Sequence, residues 1–235
     1  MQKFDLKWAE NLVNIRLLDW KEIMFIKLIR LIFGLFLFSV GIVMTINAKL
    51  GLAPWDVLHQ GISRQTILTM GQAGIIVGFI IILFNFFFKE KVGIGTILNM
   101  IFIGLFLDFL MLNHILPEPS GLPGRIALLI GGMVMISIAS YLYIGAGLGA
   151  GPRDGLMVAL HNKTGKSIRF VRNFIEISAL AIGFLLGGTV GIGTVAMSLG
   201  QGYFVQLVFM LFKFNIKTVK HSYIDDHIKA LFGKG

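Results

Sequence analysis

The chain contains no cysteine, which excludes disulfide bonding and thiolate metal ligation. Charge is scarce as well: Asp, Glu, Lys and Arg make up only 14% of the residues, too few to wet the surface of an ordinary soluble domain. The usual catalytic signatures are missing, since no H-E-x-x-H, G-x-S-x-G or Walker loop occurs. Nothing in the residue pattern therefore specifies an enzyme. Histidines are few, at 59, 114, 161, 221 and 227, and fall at no metal-ligand spacing. Neither a metal nor a cofactor is expected.

What is present is apolar. Of 235 residues, 56% are hydrophobic and the mean hydropathy is +0.83, which places the chain among polytopic membrane proteins. Its 29 glycines suit close helix contacts and broken helices in lipid. A net charge of +9 raises the question of nucleic acid, but the basic residues flank apolar spans instead of lining a polar face. Membrane topology explains them, and no nucleic-acid partner is expected.

One short stretch occurs twice. Gly51-Leu52-Ala53-Pro54-Trp55-Asp56-Val57-Leu58 and Gly149-Ala150-Gly151-Pro152-Arg153-Asp154-Gly155-Leu156 share the frame G-x-x-P-x-D-x-L at an offset of 98 residues. The same offset carries Val92-Gly93-Ile94-Gly95-Thr96 onto Val190-Gly191-Ile192-Gly193-Thr194, and Gly34, Ser39 and Gly104 onto Gly132, Ser137 and Gly202. Two motifs keep one spacing without a gap, so the chain reads as two copies of one unit.

In chain order, residues 1–28 form a basic leader with near-helical apolar spacing and no cleavable signal pattern, suited to an amphipathic helix at the headgroups or to a solvated arm. Residues 29–112 form the first membrane repeat: a span from Ile29 to Ala48, a short helix from Pro54, a span from Met70 to Phe88, and a third from Gly93 to Leu112. A proline-rich external loop, 113–124, follows. Residues 125–212 repeat the pattern with spans at 125–146, 168–187 and 191–212 and a short helix from Pro152. Residues 213–235 are a basic tail.

Three spans per unit is an odd number, so two copies joined directly lie in opposite orientations. With the N-terminus inside, eighteen Lys and Arg fall on inner segments and only Lys49, Arg64 and Arg125 on outer ones, as the positive-inside rule requires. The expected fold is an all-α polytopic membrane protein with six transmembrane helices, two short re-entrant or interfacial helices and a 3+3 inverted-topology repeat. Both termini are expected in the cytoplasm.

The candidate site residues follow from the repeated frame. Pro54 and Pro152 suit a first helical turn, and an Asp two residues later suits the free N–H groups there. If each short helix lies flat at the interface, Asp56 and Asp154 only cap. If each dips toward the midplane from its own face, the two starts converge, and Asp56, Asp154, Trp55 and Arg153 line a binding site for a small solute or ion. Differences between the copies add Arg172 and Glu176, which are spaced for an ion pair, and Asp108, which stands where the second copy has Gln206. Asn99 and Gln201 are uncharged polar groups within spans.

The G-x-x-P-W-D-V-L stretch at 51–58, the G-x-G-P-x-D-G-L stretch at 149–156 and the doubled V-G-I-G-T resemble the bacterial YczE/YyaS/YitT-type integral membrane proteins. The resemblance covers roughly residues 28–212. It implies a polytopic protein of the bacterial cytoplasmic membrane whose activity is unassigned, often guessed to be transport, and it carries over no catalytic or binding residues. Two functions fit: a small secondary transporter or channel-like permease, or a non-transporting scaffold or regulator acting through its basic termini. The lipid bilayer is the expected partner in both, and small-residue faces permit a homodimer.

Overall fold

The computed structural model describes residues 5–219, which form eight α-helices and no strand. They are α1 (Asp5–Asn47), α2 (Pro54–Gln65), α3 (Met70–Phe87), α4 (Ile94–Leu112), α5 (Leu122–Gly145), α6 (Pro152–Thr164), α7 (Ile168–Leu185) and α8 (Ile192–Leu211). The leader backbone from Asp5 runs without a break into the first span, giving one helix of 43 residues. The expected amphipathic face of the leader and the tail beyond 219 lie outside the described residues.

Among the described residues, five helices are long and apolar enough to cross a membrane: the 22–47 part of α1, together with α3, α4, α5 and α8. The chain is thus a polytopic helical membrane protein. The α7 helix has 18 residues, a rise of about 27 Å, but carries Arg169, Arg172 and Glu176. At 12 and 13 residues, α2 and α6 reach only about 18–20 Å.

Local sequence accounts for the helix ends. Thr69 Oγ1 accepts from Gln72 N while Gln72 Oε1 accepts from Thr69 N, both at 3.1 Å, which starts α3 with a reciprocal cap. Pro54, Pro123 and Pro152 stand in the first turns of α2, α5 and α6, where a missing N–H costs nothing. Ser167 Oγ accepts from Phe170 N to start α7.

The packing pairs elements across the 98-residue offset. The longest contact runs between α1 and α5, α2 lies on α7 as α6 lies on α3, and α1 meets α4 as α5 meets α8. The α1–α5 crossing is close because Gly41 and Gly132 face each other's helices: a Cβ on Gly132 would sit 2.8 Å from the Gly41 carbonyl.

Each V-G-I-G-T stretch holds the other copy's G-x-x-P-x-D loop. Gly95 N donates to Leu148 O at 2.7 Å, and Gly193 N donates to Leu50 O at the same distance. Gly51 and Gly149 adopt φ of +111° and +125°, and a Cβ on Gly51 would lie 2.5 Å from Gly191 N. Only glycine combines that backbone with that approach. Thr96 Oγ1 also donates to Ala150 O at 2.6 Å. The motif loops are thus non-helical backbone wrapped in protein.

Candidate functional site

The starts of α2 and α6 meet at one cavity of about 280 Å³. Trp55, Asp56 and His59 enter from α2, and Pro152, Arg153, Asp154 and Met157 from α6. The walls are completed by α3 and α4, by Arg172 and Glu176 of α7, and by Phe38, Ile42 and Tyr143 of the α1–α5 pair. Volume near the lower end of ligand-pocket size suits a small solute.

Helix geometry places the charged groups. Asp56 and His59 are three apart on one face of α2 and both 6% exposed, with His59 Nδ1 3.9 Å from Asp56 Oδ1. The Arg153 guanidinium lies over the Trp55 ring, 4.4 Å from its centroid, in cation–π contact. It is also within electrostatic reach of Asp56, Asp154 and Glu176. Arg172 Nε donates to Glu176 Oε1 at 3.0 Å, one turn apart on α7. Around Gly151 three oxygens converge: a Cβ there would lie 3.4 Å from Asp154 Oδ2 and 3.9 Å from both Asn99 Oδ1 and the Tyr143 hydroxyl.

Of the residues singled out from sequence, Trp55, Asp56, Arg153, Asp154, Pro152, Asn99, Arg172 and Glu176 line this one cavity. Pro54 is buried in the first turn of α2, beside the lining instead of in it. Asp108 and Gln201 lie elsewhere. Asp108 Oδ1 accepts from Gly71 N at 2.8 Å and its Oδ2 accepts from the Thr69 hydroxyl, so it secures the start of α3. Gln201 Nε2 donates to Met133 O at 3.1 Å and to Ser137 Oγ at 2.9 Å, joining α8 to α5.

Sequence reasoning missed Tyr143 and Asn85. Asn85 Nδ2 donates to Pro152 O at 2.9 Å and so fixes the start of α6. A buried amide in an apolar span was a usable signal for it. Tyr143 gave none beyond a phenol near a span end. The copies diverge at one further pair of positions: Gly74 and Gly78 of α3 line the cavity where α7 presents Arg172 and Glu176 at the same offset.

The fold and the site together define a helical membrane protein with a cavity lined by charged side chains at the starts of two short helices. A family of unknown function, DUF6198, matches residues 25–210, and the chain belongs to that family. It is 40% identical over 171 residues to the uncharacterized membrane protein YczE of Bacillus subtilis, covering 72% of this chain and 79% of that protein. An uncharacterized protein of Haemophilus influenzae is 39% identical over 176 residues, covering 75% and 80%. The uncharacterized protein YyaS of Bacillus subtilis is 27% identical over 164 residues, covering 68% and 81%. No solved structure matches the chain.

Proposed function

We propose that the protein is a small secondary transporter or channel-like permease of the bacterial cytoplasmic membrane, built as a 3+3 inverted repeat with six crossing helices. In this reading α2 and α6 are half-helices that enter from opposite faces, and α7 is the remaining crossing helix. Its Arg172 and Glu176 are tolerated because they pair with each other and both line the cavity. Asp56 and Asp154 belong to the binding site, with Trp55 and Arg153 between them.

The observation that carries the reading is the meeting of the two P-x-D helix starts, 98 residues apart in sequence, at one cavity. Two short helices lying flat on opposite faces would stand too far apart to share it. Paired interrupted helices around an internal site are the recurring device of alternating-access transporters.

The test is single-cysteine accessibility, made simple by the absence of native cysteine. Cysteines at Trp55, Asp56, Arg153 and Asp154 are probed from each side with small and bulky membrane-impermeant thiol reagents. Labelling of the first pair only from outside and the second only from inside, with bulky reagents excluded, is expected. Free labelling of all four by reagents of any size would place the short helices at the surface and favour a scaffold acting through the termini.

A further inference from the structure

We infer that the seam between α3 and α6 binds one anionic phospholipid, with an acyl chain in an apolar groove and the phosphate among the lysines at the groove's mouth. The inference goes beyond the transport reading and stands without it. The six-span topology serves only to assign the mouth to the cytoplasmic leaflet.

The groove has a volume of about 440 Å³. Val77, Ile81, Phe84 and Phe88 line it from α3 and its C-cap, spaced so that they share one helix face, and Leu156 and Leu160 line it from α6, one turn apart. Every lining side chain is apolar or aromatic. From Phe88 back to Val77 is eleven residues, a rise of about 16 Å. Ile80 and Phe84 are 47% and 51% exposed, so the groove is open sideways and a hydrocarbon chain can enter it from the bilayer. Such a groove takes up lipid whatever the head charge; the mouth is what selects.

There Lys163 Nζ lies 4.5 Å from the centroid of the Phe88 ring, a cation held at the end of the apolar wall. Lys89 and Lys91 follow Phe88 directly, and Lys166 follows α6. Asn162 Nδ2 donates to Glu90 Oε1 at 2.9 Å, which ties the end of α6 to the connection from α3 to α4 and gathers these lysines at one mouth. Among the described residues 88–92 and 161–167, Glu90 is the only acid, and that amide engages its carboxylate. Four lysines against one carboxylate favour an anion, and basic pockets between helix ends hold anionic headgroups. A zwitterionic headgroup gains less, because its own cation meets the same lysines.

At the Val77 end the groove reaches the cavity's border. Trp55, Val77 and Ile81 line both, and Trp55 carries the Arg153 guanidinium. A chain seated in the groove therefore packs against the ring that holds Arg153, so the lipid touches the site's wall.

The test uses the fluorescence of Trp55. With Trp8→Phe and Trp20→Phe it is the single tryptophan of the full-length chain. The protein is reconstituted in phosphatidylcholine vesicles, and phosphatidylglycerol or phosphatidylcholine with brominated acyl chains is added in rising proportion. Brominated phosphatidylglycerol should quench Trp55 with a midpoint about five- to tenfold lower than brominated phosphatidylcholine. Lys163→Gln, at an exposed residue, should raise that midpoint about fivefold. Lys27→Gln, the same charge change on α1 and outside the seam, should leave it in place. Equal midpoints for the two lipids would reduce the groove to bulk lipid contact and overturn the inference. An equal loss from Lys27→Gln would assign the preference to general surface charge and overturn it as well. So would absence of quenching by either lipid, since no chain would then reach Trp55.

Discussion

Arg153 and Trp55 occupy the same position in the two copies of the motif and stack on one another, guanidinium over indole at 4.4 Å. The contact joins α2 to α6 directly, at a place where the copies differ in chemistry. Arg153 is exposed and Trp55 half-buried, and a cation–π contact in such surroundings is worth about 0.5–1 kcal/mol. A double-mutant cycle of Trp55→Leu and Arg153→Gln, read by chemical denaturation in detergent, should therefore give a coupling energy of about 0.5–1 kcal/mol. Additive losses would mean that the two side chains merely share the cavity.

The paired glycines Gly104 and Gly202 stand at one repeat position but in different surroundings. A Cβ on Gly104 would lie 2.5 Å from Ile75 Cγ1 and 2.6 Å from the Gly71 carbonyl, whereas one on Gly202 meets nothing within 4 Å. Gly104→Ala should thus lower stability by about 1–3 kcal/mol through overpacking. Gly202→Ala should be neutral or raise stability by up to about 1 kcal/mol, because alanine is the better helix former. Thermal unfolding of the two variants beside the parent protein decides between these signs.

Much of this architecture was legible in the sequence, because the features that declare it are local. Twenty apolar residues announce a span, and Pro at the start of a short segment announces a helix too brief to cross. Convergence of Asp56 and Asp154 on one site followed only from the repeat, as one of two open alternatives. Contacts made by single side chains across elements were not legible. Nothing along the chain says that Asn85 reaches the Pro152 carbonyl, that Gln201 bonds Ser137, or that Asp108 serves the start of α3 and leaves the cavity to others. Nor does periodicity reveal that each V-G-I-G-T grips the opposite copy, since a glycine that packs within its own unit and one that packs across units look alike.

Lys49 and Glu118 tie the end of α1 to the loop between α4 and α5, with Nζ and Oε2 2.6 Å apart and both side chains about half exposed. The hydrogen bond and the positive charge of Lys49 hold the Glu118 carboxyl below its ordinary value of 4.5. A carboxyl depressed on folding stabilises the folded state above its unfolded pKa, and that contribution is lost as pH falls through the folded value. Glu118→Gln should accordingly lower the melting temperature slightly near pH 7. The difference should vanish toward pH 3 and in molar salt, which screens exposed pairs. A difference independent of both pH and salt would assign the effect to packing.

The two halves of the chain hold each other by exchange. Gly193 N of the second half bonds the Leu50 carbonyl of the first, Gly95 N of the first bonds the Leu148 carbonyl of the second, and α2 and α6 rest on α7 and α3 of the opposite half. Covalent continuity through the 113–121 loop is then dispensable once the fold has formed. A protease site inserted between the exposed residues Ser120 and Gly121 tests this in purified protein. After cutting, the fragments should co-elute on size exclusion and separate only on denaturation. Adding Gly93→Ala, which drives a Cβ into the Leu148 carbonyl, should loosen the cut protein far more than the uncut one. In the uncut chain the loop keeps the halves at high effective concentration, whereas the cut protein depends on the exchanged contacts alone. Fragments that part as soon as the loop is cut would show that the connection, and not the exchange, holds the halves together.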